Sequence, residues 1–398
     1  MMAAIQSAAC GNEVFLLEKN EKLGKKLFIT GKGRCNVTNA CDISDLFSNV
    51  VSNSKFLYSA FYSFSNENVM QFFESVGVPL KIERGQRVFP VSDKSSDIIR
   101  ALAQECERKR VHVCFHHTVR RLIITDKRIK GVVLADGKKM TADKVIVATG
   151  GKTYSSTGSA GDGYDMAGQC GHTIQPIRAG LTGWVSSDGT GKQLQGLTLK
   201  NVRTRITTPD NTKKTLYEGF GELLFTHYGV SGPLMLTASS LLGDRLQEQP
   251  LLLHIDLKPA LSREKLDRRL VDDFSSAMNS EIKNACRHLL PKSMLSAVLH
   301  RAEIDSKVKI NQITKDTRLK LVDTIKDYTL PLEQLRDIEE AIVTRGGVDV
   351  TQVDSSTMES KLISGLFFAG EVLDLDALTG GFNLQIAWST GYLAGMEF

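Results

Sequence analysis

Three glycine-dense segments, widely separated along the chain, restrict its fold more than any other feature. Gly31-Lys32-Gly33-Arg34-Cys35-Asn36-Val37-Thr38-Asn39 lies near the start, Ala148-Thr149-Gly150-Gly151 in the first half, and Thr379-Gly380-Gly381-Phe382-Asn383 close to the end. Glycine reaches backbone conformations closed to other residues and lets backbone N–H groups approach a ligand closely. The second segment follows an apolar run at 145–148. The third follows a strand-like run at 365–369 and opens a helix starting near Phe382. This arrangement implies an α/β domain assembled from both ends of the chain, with other material inserted between.

The remaining pattern agrees. Residues 1–11 read as the end of a helix closed by Gly11, and 13–18 (EVFLLE) as a short strand ending in an acid. Apolar residues recur at helical spacing over 55–77 and 95–110. Strands follow at 111–115, 119–125 and 129–135, with Asp136-Gly137 as a hairpin turn, then a short helix at 162–171. From Thr173 to about Ala260 the sequence alternates and is rich in Thr, Gly and Asp/Asn turns, which suggests β structure. Residues 262–327 are charged and helical, opened by Ser262 with Glu264-Lys265. The expected domains are 1–172 with 340–398, a β-rich, barrel-like insert of 173–261 with 328–339, and a small helical subdomain of 262–327.

Composition excludes several classes. The chain has 398 residues, 41% hydrophobic and 24% charged, ordinary values for a soluble globular protein. A net charge of +5 with scattered basic residues argues against a nucleic-acid partner. The seven cysteines are odd in number and form no C-x-x-C, so neither a disulfide framework nor a zinc site is expected. Reduced thiols of a cytoplasmic protein are the simpler reading. No apolar run approaches the roughly 18 residues needed to span a bilayer, so no membrane association is expected. His116 and His117 are adjacent on a strand-like run and point to opposite faces, which opposes a shared metal; no metal is expected. Gly229-Val230-Ser231-Gly232-Pro233 is not a nucleophile elbow, because Pro233 occupies the place of the last glycine.

The first 39 residues can be read as part of a dinucleotide-binding βαβ unit. There a second strand ends in an acid that accepts hydrogen bonds from ribose, and a helix N-terminus holds the pyrophosphate. Glu18 is that acid. No first strand with G-x-G-x-x-G precedes it, and Met1-Met2-Ala3-Ala4 falls where the first helix is already running. Met1 is therefore expected to be an internal methionine of a longer reading frame; a genuinely short product is the alternative. Arg34 can offer a planar fork to phosphate or ring carbonyls, and Asn36, Thr38 and Asn39 can fix a polar heterocycle. Gly380-Gly381 opening a helix is a second anion site.

Four long strings then carry a family resemblance. LLEKNEKLGKKLFITGKGRCNVTN, VIVATGGKTYSSTGSAGDGYDMAGQCGH, GELLFTHYGVSGPLMLTAS, and TRGGV followed by TMESKLISGLFFAGEVLDLDALTGGFNLQIAWSTGYLAG occur in that order. Together they resemble the BaiN/YhiN-like flavoproteins, also called the aminoacetone oxidase family. The resemblance implies a Rossmann-like, three-layer FAD-binding domain and an oxidoreductase using FAD. Its substrate would be a small organic molecule, with NAD(P)H or oxygen as redox partner. It places Glu18 and Lys19 at the adenosine ribose, and Lys26, Arg34 and Asn36 along the pyrophosphate and flavin. Val119 would contact adenine through its backbone. Ala148, Thr149 and Gly150 would pass close to the cofactor, and Gly370, Glu371 and Asp374 would lie near the ribityl chain. Gly381, Asn383, Leu384 and Gln385 would bring a helix N-terminus to the flavin. The absent glycine loop puts FAD retention by this chain in question, and favours the alternative of a non-catalytic protein that uses the cleft for binding.

For catalysis His227 is the proton-transfer candidate, since imidazole titrates near neutrality, with Glu222 as a possible partner. Cys35 invites a dithiol role, but Cys41 does not stand at C-x-x-C or C-x4-C spacing.

Overall fold

The computed structural model describes residues 1–396 and divides into two compact units, Met1–Gly180 with Asp337–Phe398, and Leu181–Arg336. The first unit opens with strands β1 (Phe15–Leu17), β2 (Thr38–Asn39), β3 (Leu80–Glu83), β4 (Arg87–Pro90) and β5 (His112–Cys114). It continues with β6 (Val119–Thr125), β7 (Arg128–Leu134), β8 (Lys139–Thr141), β9 (Val145–Val147) and β10 (Ile174–Gly180). The second unit holds β11 (Trp184–Val185), β12 (Thr198–Thr207), β13 (Tyr217–Thr226), β14 (Gly229–Ser231), β15 (Leu251–Asp256), β16 (Tyr328–Leu332) and β17 (Gln334–Leu335). The chain then returns to the first unit with β18 (Val343–Val348) and β19 (Leu366–Phe368).

In the first unit β1 pairs in parallel with β5, and β9 in parallel with β19. The three residues of β1, β9 and β19 are all apolar, without polar alternation; β19 is fully buried, whereas β1 and β9 are only partly so. Strands β6, β7 and β8 form an antiparallel meander. The turn between β6 and β7 is Asp126-Lys127, both with positive φ (50° and 56°), and Asp136-Gly137 joins β7 to the short β8. The stretch 55–77, expected to be one helical region, breaks at Phe64-Ser65. Ser65 accepts from the Asn68 amide and closes a capping box that starts a new helix, Asn66–Ser75.

The C-terminal helix Phe382–Met396 carries no charged residue and no separate polar face, and it is largely buried, its polar side chains hydrogen-bonded. It packs on the N-terminal helix Met2–Ala9 through glycines: a Cβ at Gly395 would lie 2.6 Å from the Ala3 carbonyl oxygen. Phe61, Ile129, Leu366, Phe367 and Phe368 are fully buried in one core cluster of this unit.

The second unit is built on a seven-stranded antiparallel sheet ordered β16-β15-β12-β13-β14-β11-β17. The segment read as β-rich also contains a helix, Pro233–Leu242, with proline in the first turn after Gly232. Trp184 is fully buried and donates its indole N–H to the Met235 carbonyl (2.8 Å). Helix Arg263–Ser275 starts where expected, with the Ser262 hydroxyl accepting from the Lys265 amide. No described helix is long and apolar enough to cross a membrane.

Candidate dinucleotide site

Within the first unit a cavity of about 530 Å³ opens between β1 and β9. Seven of the residues singled out from the sequence line it: Glu18, Lys19, Lys26, Val119, Ala148, Thr149 and Gly150. Glu18 immediately follows β1. Its amide donates to the Cys114 carbonyl (2.9 Å) and its carbonyl accepts from the His117 amide (3.0 Å), so the backbone is fixed and the side chain is presented at the strand end. Carboxylate Oε1 accepts from the backbone and side-chain amides of Asn20 (2.9 and 2.8 Å). Asn20 Nδ2 also reaches the Thr157 carbonyl at 3.1 Å, which ties this acid to the segment after β9. Lys19 is paired with Asp162 (2.5 Å) at the start of helix Asp162–Gln169.

Ala148 and Thr149 are exposed on the run out of β9, and Gly150 turns with φ 77°. A Cβ on Gly150 would lie 2.9 Å from the Ser159 hydroxyl oxygen, so this close approach requires glycine. Deeper in the unit, Lys26 Nζ is bound to Glu371 Oε2 (2.7 Å) and to the Thr153 hydroxyl (2.8 Å). Glu371 Oε1 accepts from the Thr344 amide (2.8 Å), and the Thr344 hydroxyl accepts from the Lys152 amide (2.8 Å). Segments from both chain ends are thus locked by one partly buried ion pair.

Other expected residues have different tasks. The Arg34 guanidinium is held by Glu83 (2.5 Å) and Asp93 (2.6 Å) and lies 4.2 Å from the centre of the Phe89 ring. Its fork is occupied by carboxylates, which corrects the expectation that it faces phosphate. Asn36 has a buried side-chain oxygen with no partner. Asn383 closes the turn before its helix, accepting from the Ala377 amide (2.9 Å) and donating to the Ala377 carbonyl (2.7 Å). Gln385 is fully buried; it accepts from the Thr38 hydroxyl (2.5 Å) and donates to the Phe64 carbonyl (3.1 Å). Leu384 packs in the core beside it. For Asn383, Leu384 and Gln385, the side chains serve the turn and core; a ligand would meet the backbone here. Asp374 accepts from Asn53 (2.9 Å), and burial raises its carboxyl above the usual range. Gly370 donates its amide to the Thr390 hydroxyl (2.9 Å). Gly381 presses on Thr38.

His227 belongs to the second unit, where it forms the exposed tip between β13 and β14 with Tyr228, edge-on at 5.0 Å. Sequence reasoning missed Asn20, Thr153, Asp162 and Thr344. Only Asp162 carried a signal, as the acid of a Gly-Asp-Gly helix start.

Cys35 is fully buried, and burial pushes its thiol up to about 12. Exposed Cys10 should therefore react first with iodoacetamide, while Cys35 and Cys286 stay unmodified until the protein is denatured. Rapid native-state labelling of Cys35, read by peptide mass spectrometry, would contradict this assignment.

The cavity suits the adenosine half of a flavin dinucleotide. Among the described residues Glu18 Oε2 has no protein hydrogen bond, so the acid keeps an acceptor for ribose hydroxyls. Gly150 and Gly158 bring backbone close to the rim. An α/β unit with a strand-end acid and glycine turns from separate segments defines a Rossmann-type dinucleotide-binding protein.

The chain matches the HI0933-like protein Rossmann domain over residues 1–397 and belongs to that family. It is 29% identical to the 3-dehydro-bile acid delta(4,6)-reductase of Clostridium scindens, over 99% of this chain and 95% of the relative. It is 28% identical to the ribosomal RNA dihydrouridine synthase of Escherichia coli, over 100% of this chain and 94% of the relative. Among solved structures it is similar in fold to a quinol-fumarate reductase with menaquinol molecules (TM-score 0.52, 16% identity, 100% of this chain and 68% of that one). A 3-ketosteroid delta1-dehydrogenase from Sterolibacterium denitrificans is likewise similar (TM-score 0.50, 11% identity, 100% and 96%).

Proposed function

We propose that this chain reduces a carbon–carbon double bond conjugated to a carbonyl group in a small organic substrate, with NAD(P)H as the electron source. The observation that carries the reading is the convergence of Glu18 and the Ala148–Gly150 turn on one cavity beside the Lys26–Glu371 pair. The names of two relatives agree on the chemistry, since a delta(4,6)-reductase and a dihydrouridine synthase both saturate such a bond. FAD, when bound, supplies the hydride transfer. Glu18 would orient the adenosine end, and the Lys26–Glu371 pair would hold together the segments that flank the flavin.

A second reading puts the double bond in RNA, and one surface favours it. The β6–β8 meander brings Arg120, Arg121, Lys127, Arg128, Lys130, Lys138 and Lys139 together, all exposed. All seven fall within residues 120–139, and strand pairing folds that basic run into one small sheet that suits phosphate contacts.

The protein should be loaded with FAD, desalted, and checked for flavin absorption bands. NAD(P)H oxidation is then followed with a steroid 4,6-dien-3-one and, separately, with uridine-containing RNA. Turnover of the dienone supports the first reading and turnover of RNA alone the second. Flavin retention without turnover of either would support a non-catalytic binding role instead.

A further inference from the structure

We propose that the β6–β8 meander grips the phosphate backbone of a nucleic-acid duplex without reading its bases. Such a grip rests on the RNA reading of the reaction for its purpose, although binding is measured without flavin or turnover.

The distribution of charge carries it. From Arg120 to Lys144 the chain has eight Lys or Arg and three Asp. That excess of five equals the net charge of the entire chain, +5, so the other residues balance one another. Seven of the eight cations are exposed; Lys144 lies over the Phe367 ring (5.8 Å). Elsewhere exposed cations have acidic partners, as Lys25 has Glu21, Arg263 has Asp323 and Lys320 has Glu303. Among the described residues none of the meander's seven has an ion-pair or hydrogen-bonded side-chain partner. Asp136 is engaged locally, accepting from the Lys138 amide (2.9 Å). Like charges gathered this way repel one another, and an anionic partner removes that cost.

The sheet sets where the cations stand. Leu122, Val132 and Met140 lie opposite one another across the three strands and border the dinucleotide cavity. The next row, Arg121, Val133 and Lys139, belongs to the other face. Each register irregularity supplies a further cation: Arg120 is the extra residue between Val119 and Arg121, and Lys130 the extra residue between Ile129 and Gly131. Bulges re-aim side chains and increase twist. Gly131 has φ 138°, and a Cβ there would collide with the Met140 carbonyl, so this bulge requires glycine. Lys127 and Arg128 stand at the far end of β6, about 20 Å from Arg120 at the strand rise of about 3.3 Å per residue. Among the described residues none of the seven borders the cavity, so a duplex and a dinucleotide can be held together.

The surface also selects its partner. No aromatic residue occurs between Val119 and Lys144, so single-stranded bases find nothing to stack on. No large exposed apolar side chain lies there to enter a lipid layer. What is left is the sequence-independent attraction of fixed cations for rows of phosphates.

The test uses the full chain without added FAD and fluorescein-labelled RNA and DNA duplexes of one sequence, read by anisotropy at about 50 to 200 mM salt. The variant carries Arg120→Gln, Arg121→Gln, Lys138→Gln and Lys139→Gln. A control removes the same charge from exposed Lys55, Lys213, Lys292 and Lys307, each replaced by Gln. The meander variant should bind about 100-fold more weakly, with its log-affinity against log-salt slope shallower by about 3. The control should change less than about threefold, and Lys139→Gln alone should reduce the slope by about 1. Equal affinity for both duplexes identifies the phosphates as the shared ligand; a preference for RNA of about tenfold or more ties the surface to the RNA reading. Equal losses in variant and control overturn the proposal, as does tighter binding of single-stranded poly-uridine. Sedimentation with phosphatidylserine vesicles and no binding of either duplex would give the surface to a membrane instead. Turnover can fail with duplex binding intact, and binding can fail with dienone turnover intact.

Discussion

Replacing Gly381 with alanine should cost about 3 kcal/mol or more of stability in urea denaturation, because a strained backbone is combined with a clash that cannot relax. Gly381 has φ 100°, a region L-residues rarely adopt. An added Cβ would fall on the Thr38 backbone, 2.5 Å from its carbonyl carbon and 2.8 Å from its Cα. Backbone atoms in a paired strand cannot move aside as a flexible side chain can. The neighbouring contacts would shift together: Asn39 Nδ2 donates to the Gly380 carbonyl (3.0 Å), and the Thr38 hydroxyl to Gln385 (2.5 Å). The start of the C-terminal helix would lift from β2, and flavin retention should fall with it. Gly137 is the control. Its φ is 87°, but a Cβ there meets nothing within 4 Å, so Gly137→Ala should cost only about 1 kcal/mol of backbone strain. Equal losses at the two positions would show that the contact with Thr38 carries no weight.

The sequence made Gly381 visible as a glycine but not its purpose. Glycine density marked where the backbone turns, and short apolar runs marked the parallel strands. These local signals sufficed for the α/β unit built from both ends and for Glu18 at a strand terminus. Pairing partners were a different matter. Arg34 looked like an anion fork because nothing in a linear reading places Glu83 and Asp93 beside it. Asn383 and Gln385 were read as part of a helix start facing the cofactor; what the sequence did not show is that their amides satisfy backbone and hydroxyl groups that burial would otherwise leave unpaired. The basic run of 120–139 was legible in the sequence, although the chain's basic residues were read as scattered; antiparallel pairing folds it into one small sheet. The Asp126-Lys127 turn was obscure because lysine is an unusual residue at positive φ. Helix Pro233–Leu242 was readable from Gly232-Pro233, but the surrounding β texture outweighed that cue.

Replacing Glu18 with alanine should weaken FAD binding by about 10- to 100-fold, the usual worth of hydrogen bonds to a charged group. The carboxylate's protein partners are the two amide groups of Asn20, two residues away, so the fold does not depend on it over long range. The FAD-free variant should consequently melt within about 2 °C of the parent. The loss should be specific to the adenosine end. ADP should compete with FAD for the parent and compete poorly for Glu18→Ala, while riboflavin should bind both alike. Glu18→Gln keeps one acceptor and should fall between them, and Asn20→Ala, which frees the carboxylate to rotate and removes the bond to the Thr157 carbonyl, should lose less than Glu18→Ala. Isothermal titration of the four proteins with FAD, ADP and riboflavin reads every term. An unchanged ADP affinity in Glu18→Ala would remove this acid from the cofactor site, because its geometry at the end of β1 leaves it no other ligand to hold.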